Sequence, residues 1–403
     1  MTVMGDGLAL HADLLTAAEQ ATERALAPLA GRRPDLVCAF VSGGEPDAVE
    51  AAGEQVARLA GAQAMVGCSA GGVIGGGRGV EGRSAVSVFV AVLPGATVRA
   101  FHLEVMPAGA GVAVVGLPER AEGDDVAVLL ADPYSFPADG FVSRADAALP
   151  GLAVVGGLAH GPSGPGSTRL WVDGRSHDRG AVGVLLGGGA AVARSVVSQG
   201  CRPVGPSMTV TAATGNVIRE LAGVPALQKV EQVLAVLPPA DQALASSGLQ
   251  LGIALDEYAD EHDRGDFLIR GILGLDPDTS GLVVGDLVEV GATVRLQVRD
   301  AEGADEDLRT RLGQFHAGTP AVAGALLFSC NGRGAHLFGS SLGGADHDVQ
   351  AVRRGLGTQA VAGFFAGGEL GPVAGRNHLH GFTASVLAFP SWFSGDERDR
   401  LPG

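Results

Sequence analysis

Residues 67–76 read GCSAGGVIGG and residues 363–372 read GFFAGGELGP. Laid over one another, they match at Gly67/Gly363, Ala70/Ala366, Gly71/Gly367, Gly72/Gly368 and Gly75/Gly371. Their surroundings match too. Ahead of the first lie the apolar run PDLVCAFVSG (34–43), the helical PDAVEAAGEQVARLAG (46–61) and a short strand, AQAMVG. Behind it, RSAVSVFVAVLPG (83–95) alternates as a strand. The second is preceded by AVAGALLFSCNGRG (321–334) and the helical DHDVQAVRRGLG, and followed by the strand GFTASVLAF (381–389). A fainter cycle runs from DDVAVLLADPYSF (124–136) through a helix and GLAVVGGLAHGPSGPG to AVGVLLG (181–187). The recurring order strand, helix, strand, glycine loop, strand predicts an α/β fold with two mixed-sheet halves related by duplication.

Outside these cycles, Leu10, Leu14, Ala17, Ala21 and Leu26 predict an amphipathic helix over 9–30, and TVRAFHLE predicts a strand beside 83–95. The middle is different. Residues 199–234 begin extended and turn helical after Pro225, and 266–308 alternate like several short strands. A boundary is expected at 222–226. It gives an N-terminal helical segment (1–33), two halves (34–222 and 223–392) and a polar tail (393–403).

Composition narrows the function. The 403 residues are 46% hydrophobic and 18% charged, enough apolar material for a substantial core. A formal charge of −16 argues against nucleic-acid and anionic-membrane partners, which a negative surface repels. Lys229 is the only lysine, and it follows Gln228 in a helical stretch, so neither a P-loop nor a Schiff-base lysine is expected. Cys38, Cys68, Cys201 and Cys330 are too widely spaced for a zinc site and suit a reducing compartment. The N-terminal MTVMGDGLALHADLLTAAEQ has no basic flank before an apolar run, and no run of about 20 apolar residues follows anywhere. These features predict a soluble cytoplasmic protein with no signal peptide and no membrane partner.

The sequence resembles a known family. GCSAGGVIGG together with QGCRPVGPSMTVTAATGNVIRELAGVPAL resembles the N-terminal half of the FIST sensory domain. DFLIRGILGLD, VRLQVRDAEGADEDL, FSCNGRG, GFFAGGELGP and LHGFTAS, in that order, resemble its C-terminal half. The resemblance covers roughly residues 34 to 392. It implies a sensory or signal-transduction role through a small ligand such as an amino acid, here without an attached output module, so that the signalling partner is a separate protein. The family's C-terminal loop commonly carries an aromatic or polar residue where this chain has Ala366 or Gly367, which implies a smaller or differently shaped pocket.

The candidate ligand-binding residues are Cys68, Ser69, Gly71 and Gly72 in the first loop, and Gly367, Gly368 and Glu369 in the second. Glycine pairs admit positive φ and bring backbone N–H groups up to a carboxylate. Ser329, Cys330, Asn331 and Arg333 follow an apolar strand, and open α/β sheets bind ligands at strand ends. Arg333 suits a carboxylate and Glu369 an amino group, although each also has a purely structural reading. Arg270 and Arg299 are expected in structural ion pairs with acids such as Asp266 and Asp300. No cofactor or metal site is expected: His378-Leu379-His380 is poorly disposed for ligation, and Asp346 is expected to cap a helix.

Two other classes compete. An interaction scaffold would use the loops only as structure. A hydrolase would use Cys330 or Ser69, since Gly67-Cys68-Ser69-Ala70-Gly71 fits G-x-S-x-G, but that elbow needs a helix after the serine and none is predicted.

Overall fold

The first cycle takes shape as β1 (Val3–Leu10), α1 (Leu14–Leu26), β2 (Leu36–Ser42), α2 (Pro46–Ala60), β3 (Ala64–Ala70), the hairpin β4 (Gly72–Gly75) and β5 (Arg78–Glu81), and β6 (Ala85–Val92). The helix expected over 9–30 is thus shorter and preceded by a strand. α2 has its signals in place: Pro46 at the first turn, Asp47 beside it, Arg58 in the last turn, and Gly61 closing it at φ 55°. Its buried stripe is Val49, Ala52, Gly53, Val56 and Ala60. The computed structural model describes residues 1–109, 111–121, 123–188, 193–257, 259, 262, 264–318 and 321–391. The expected tail at 393–403 lies outside the described residues.

The second cycle contains β7 (Thr97–Ala108), β8 (Gly111–Val115), β9 (Asp124–Ala131), α3 (Ala138–Ala148), β10 (Ala153–Leu158), the hairpin β11 (Leu170–Val172) and β12 (Arg175–His177), and β13 (Ala181–Gly187). TVRAFHLE lies in β7, but its partner is β13 rather than the 83–95 strand. β14 (Arg194–Gln199) follows.

The chain then builds a second compact unit, Gln199–Asp307 with His380–Phe382. It holds β15 (Cys201–Thr214), β16 (Val217–Leu221), β17 (Val224–Pro225), α4 (Ala226–Ala235), α5 (Pro239–Ser247), β18 (Leu249–Ala254), β19 (Phe267–Leu275), β20 (Leu282–Val284) and β21 (Thr293–Arg299). The strands run in the order β15-β21-β18-β19-β20-β16, and β16 pairs back with β15. The result is a closed six-stranded antiparallel barrel, with β17 attached to β16. Closure leaves no open edge in the ring. Val210, Leu251, Val284 and Leu296 fill it. The boundary expected at 222–226 falls between β16 and α4, inside this unit. Arg270 pairs with Asp286, at 2.6 Å. Arg299 lies over the Phe382 ring, and Asp300 pairs with Arg202.

α6 (Ala301–Ala317) leads into the third cycle: β22 (Val322–Cys330), α7 (Gly334–Phe338), α8 (His347–Leu356), β23 (Ala360–Ala366), the hairpin β24 (Glu369–Val373) and β25 (Arg376–His380), and β26 (Thr383–Pro390). Asp346 precedes α8 without capping it through its side chain, which accepts the Gly79 N–H instead.

In the first unit each cycle forms the centre of one sheet. β2 and β3, β9 and β10, and β22 and β23 are parallel pairs, each flanked by an antiparallel last strand, β6, β13 or β26. A further strand sits outside each: β1, β7 and β14. The hairpins do not stay at home. β11–β12 of the second cycle joins β3 of the first, β24–β25 of the third joins β10 of the second, and β4–β5 of the first joins β23 of the third. The exchange closes a ring of three.

Alternation along the strands explains the packing. In β2, Leu36, Cys38 and Phe40 enter a central core shared by the three sheets, where Phe40, Phe328 and Phe364 meet ring to ring. Val37, Ala39 and Val41 face α1 and α2 on the other side. α3 covers the second sheet, and α6 and α8 the third.

The repeated glycines answer to this packing. Gly67, Gly156 and Gly363 occupy one register position in β3, β10 and β23. A Cβ there would stand 2.4, 1.9 and 1.7 Å from the carbonyl oxygens of Ala39, Leu129 and Leu327. Gly75 and Gly371 meet Ser87 Oγ and Ser385 Oγ in the same way, and each serine donates to the carbonyl before its glycine, Ile74 or Leu370.

Candidate functional site

Three equivalent places open where the first strand of each parallel pair ends. In the second copy, Asp132 fills the place and accepts hydrogen bonds from Thr168 and Ser135 at 2.7 and 2.6 Å. In the third copy it is filled by Arg333 and Asp348. The first copy is open. Ser42 there donates to the Arg83 carbonyl, and beyond it lies a cavity of about 330 Å³.

That cavity is framed by the β2–α2 turn, where Gly43 and Gly44 take φ of 73° and 83°. Both positive angles suit glycine alone. Pro46 starts α2 above it, and Glu45 at the N-cap makes no side-chain bond to the first turn, whose N–H groups face outward with the positive end of the helix dipole. Ser69, Gly71, Arg83 and His160 complete the walls. Ser69 is tied down: its hydroxyl donates to the His160 carbonyl at 2.7 Å and accepts the Arg169 N–H. The His160 ring lies over Gly71. None of the 13 lining residues is acidic, in a chain of formal charge −16.

The third copy presents the opposite picture, a buried polar cluster. Arg333 is fully buried, and donates from Nε and Nη2 to the two oxygens of Asp348 at 2.8 and 2.9 Å. Asp348 also accepts from Ser329 Oγ at 2.7 Å and lies 2.9 Å from His347 Nδ1. Burial alone would raise the Asp348 carboxyl, but the Arg333 charge and these bonds hold it well below the usual carboxylate range. Glu369 is fully buried as well, with Oε2 accepting from both Thr383 N–H and Oγ1. Two atoms of this cluster lack a hydrogen-bond partner: Arg333 Nη1 and Glu369 Oε1.

Glu369 has a measurable consequence. Burial pushes its carboxyl up to about 8 from 4.5, against the opposing bonds from Thr383 and Cys330. The folded chain therefore keeps this proton where the unfolded chain has released it, so its contribution to stability falls as pH rises through that window. Glu369→Gln removes the titration. Urea midpoints compared from about pH 5 to pH 8 are expected to show wild type losing stability relative to the variant; parallel curves would refute the assignment.

The comparisons with known proteins bear on the whole chain. The FIST N domain matches residues 35–224, and the FIST C domain matches residues 226–372. The chain belongs to the FIST family. It is 43% identical over 394 residues to the uncharacterized protein Rv0628c of Mycobacterium tuberculosis, covering 96% of this chain and 99% of that one. It is 42% identical over 390 residues to the uncharacterized protein Mb0898c of Mycobacterium bovis, covering 96% and 98%. FIST domains are associated with signal transduction and ligand sensing. The FIST N match spans the first cycle from β2 onward, the second cycle and the start of the barrel, and the FIST C match spans the rest of the barrel and the third cycle into β24.

Within this FIST chain the expected residues separate into two groups. Ser69 and Gly71 line the open cavity, whereas Cys68 points into the central core and Gly72 pairs in the β4–β5 hairpin. Ser329, Cys330, Arg333 and Glu369 come together in the buried cluster. Asn331 N–H bonds the Ala366 carbonyl, while Gly367 and Gly368 bond Leu158 through their backbones. None of residues 363–371 lines the cavity. Ser69 lies on a strand that runs into a hairpin, not a helix. Among the described residues no group of three or more His, Cys, Asp or Glu is placed to hold a metal, and no helix is long and apolar enough to cross a membrane.

Sequence reading missed Gly43, Gly44, Arg83 and His160. His160 carried a signal, because it occupies the place of Gly71 and Gly367 in the second cycle.

Proposed function

We propose that this FIST chain is a small-ligand sensor whose pocket is the cavity of the first copy. The ligand is a small organic anion, with the carboxylate of a free amino acid as the leading class. One observation carries the reading: of three equivalent strand ends, two are filled by their own side chains and the third is open and free of acids in an acidic protein. Arg83 supplies a guanidinium fork for the carboxylate, and the uncapped first turn of α2 supplies N–H groups. His160 closes the opposite wall. The four cysteines stand as thiols, which supports a cytoplasmic setting. Occupancy changes how the chain engages a separate signalling protein.

The test is a thermal-shift screen against amino acids, organic acids and nucleotides. A ligand present at about 100 times its Kd adds about 2.7 kcal/mol to unfolding. Arg83→Ala is expected to abolish that gain while leaving the unliganded protein within about 0.5 kcal/mol of wild type, since Arg83 is exposed. Silence across the panel, or full retention of the shift in Arg83→Ala, sinks the pocket and favours a scaffold.

A further inference from the structure

The third copy carries polar groups that its fold does not require. Its path follows that of the first copy, yet Glu369 and Ser329 occupy the register positions of Val73 and Val41. Both valines are buried among apolar neighbours. An acid in place of a core valine is unfavourable unless something else uses it.

Cys330 lies among these groups at the end of β22. Its sulfur accepts the Gly332 N–H at 3.4 Å, and it interacts with both Arg333 and Glu369. The other three cysteines are different. Cys38 and Cys68 lie in the central core and Cys201 in the apolar interior of the barrel unit, all with no exposed surface, whereas Cys330 keeps 6%. Burial pushes the Cys38 thiol far up and the Cys68 thiol further out of reach. The charged and titratable groups that interact with Cys330 are Arg333, just before α7, and Glu369 on β24, and Arg333 is itself paired with Asp348 on α8.

We propose that Cys330 is a hydroperoxide-reactive thiol, with Arg333 holding its thiolate and Glu369 protonating the departing oxygen. The Cys330 thiolate attacks one peroxide oxygen, forming an S–O bond as the O–O bond breaks. The sulfur is oxidised by two electrons to a sulfenic acid and the peroxide is reduced. The leaving hydroxide takes the Glu369 proton and departs as water. That glutamate is protonated at neutral pH, which fits it to the task. Arg333 Nη1 and Glu369 Oε1 both lack a hydrogen-bond partner, and both residues interact with Cys330; they are assigned as the donor and the acid of this step. This reaction is separate from the anion pocket and stands or falls without it.

The experiment treats the reduced full-length protein with hydrogen peroxide and a sulfenic-acid trap, then locates the adduct by peptide mass spectrometry. The four cysteines are compared in one native sample, so the first readout needs no variant. Cys330 is expected to label at least about tenfold faster than Cys38, Cys68 or Cys201. Glu369→Gln is expected to slow labelling at least about tenfold at neutral pH and to flatten its dependence on pH. Thr383→Val, which removes the hydroxyl that orients Glu369, is expected to slow it less. Equal labelling of all four cysteines, an unlabelled Cys330, or an unchanged rate and pH profile in a folded Glu369→Gln protein overturns the proposal.

Discussion

Asp348→Ala is expected to remove about 3–5 kcal/mol from the free energy of unfolding, as breaking one side of a buried ion pair does. Asp348 satisfies Arg333 twice, Ser329 once and His347 once. Its loss strands a fully buried guanidinium that already has one unpartnered nitrogen. The guanidinium midpoint should therefore fall with little change in slope. The double variant Arg333→Met with Asp348→Leu should recover most of the loss, because no charge is then left unpaired. A loss under about 1 kcal/mol in Asp348→Ala would show that the pair is not sealed from solvent.

Gly363→Ala is expected to reach or exceed the upper end of the roughly 1–3 kcal/mol that overpacking a core usually removes. Its Cβ would sit 1.7 Å from the Leu327 carbonyl oxygen, on a neighbouring strand held in the middle of the sheet. The obstacle is backbone, so no side chain can turn aside. Gly67→Ala should be milder, with 2.4 Å to Ala39 O. Gly313→Ala serves as the control: it lies in α6 with nothing within 4 Å and should stabilise by about 0.5–1 kcal/mol. Thermal denaturation of the three variants checks the order. A Gly363→Ala protein as stable as wild type would mean that β22 and β23 slide apart freely.

That prediction also explains what could be read in advance. The glycine echo was legible because the same carbonyl stands over the same register position in each copy, and only glycine fits beneath it. The strand and helix order was legible for the same reason, since each copy repeats one burial pattern. The hairpin exchange was not. β4 pairs with β23 across most of the chain, and no local pattern specifies so distant a partner. The barrel showed only as alternating short strands, because closure depends on β15 meeting β16 as well as β21.

The candidate sites divide in the same way. Arg333 was visible as a polar residue after an apolar strand, but its partner was not, because Asp348 reads as an ordinary residue in the first turn of a helix. Glu369 was visible as the only charge in its loop. Nothing in that loop announced a carboxylate with no solvent contact. Arg83 and Gly43 belong to separate turns that are brought together only by the pairing of β2 with β6.

The handing-on of hairpins has a last consequence. Cut between cycles, each piece would carry a two-stranded arm with no sheet to join and a sheet with one bare edge awaiting another piece's arm. Three such pieces satisfy one another only as a closed set. The first unit thus has the connectivity of a domain-swapped cyclic trimer whose subunits have been joined end to end, with the barrel spliced into the third. Joining removes the concentration dependence that a free trimer would show, and it lets the three subunits diverge. One strand end could stay open while another acquired a buried arginine, glutamate and thiol.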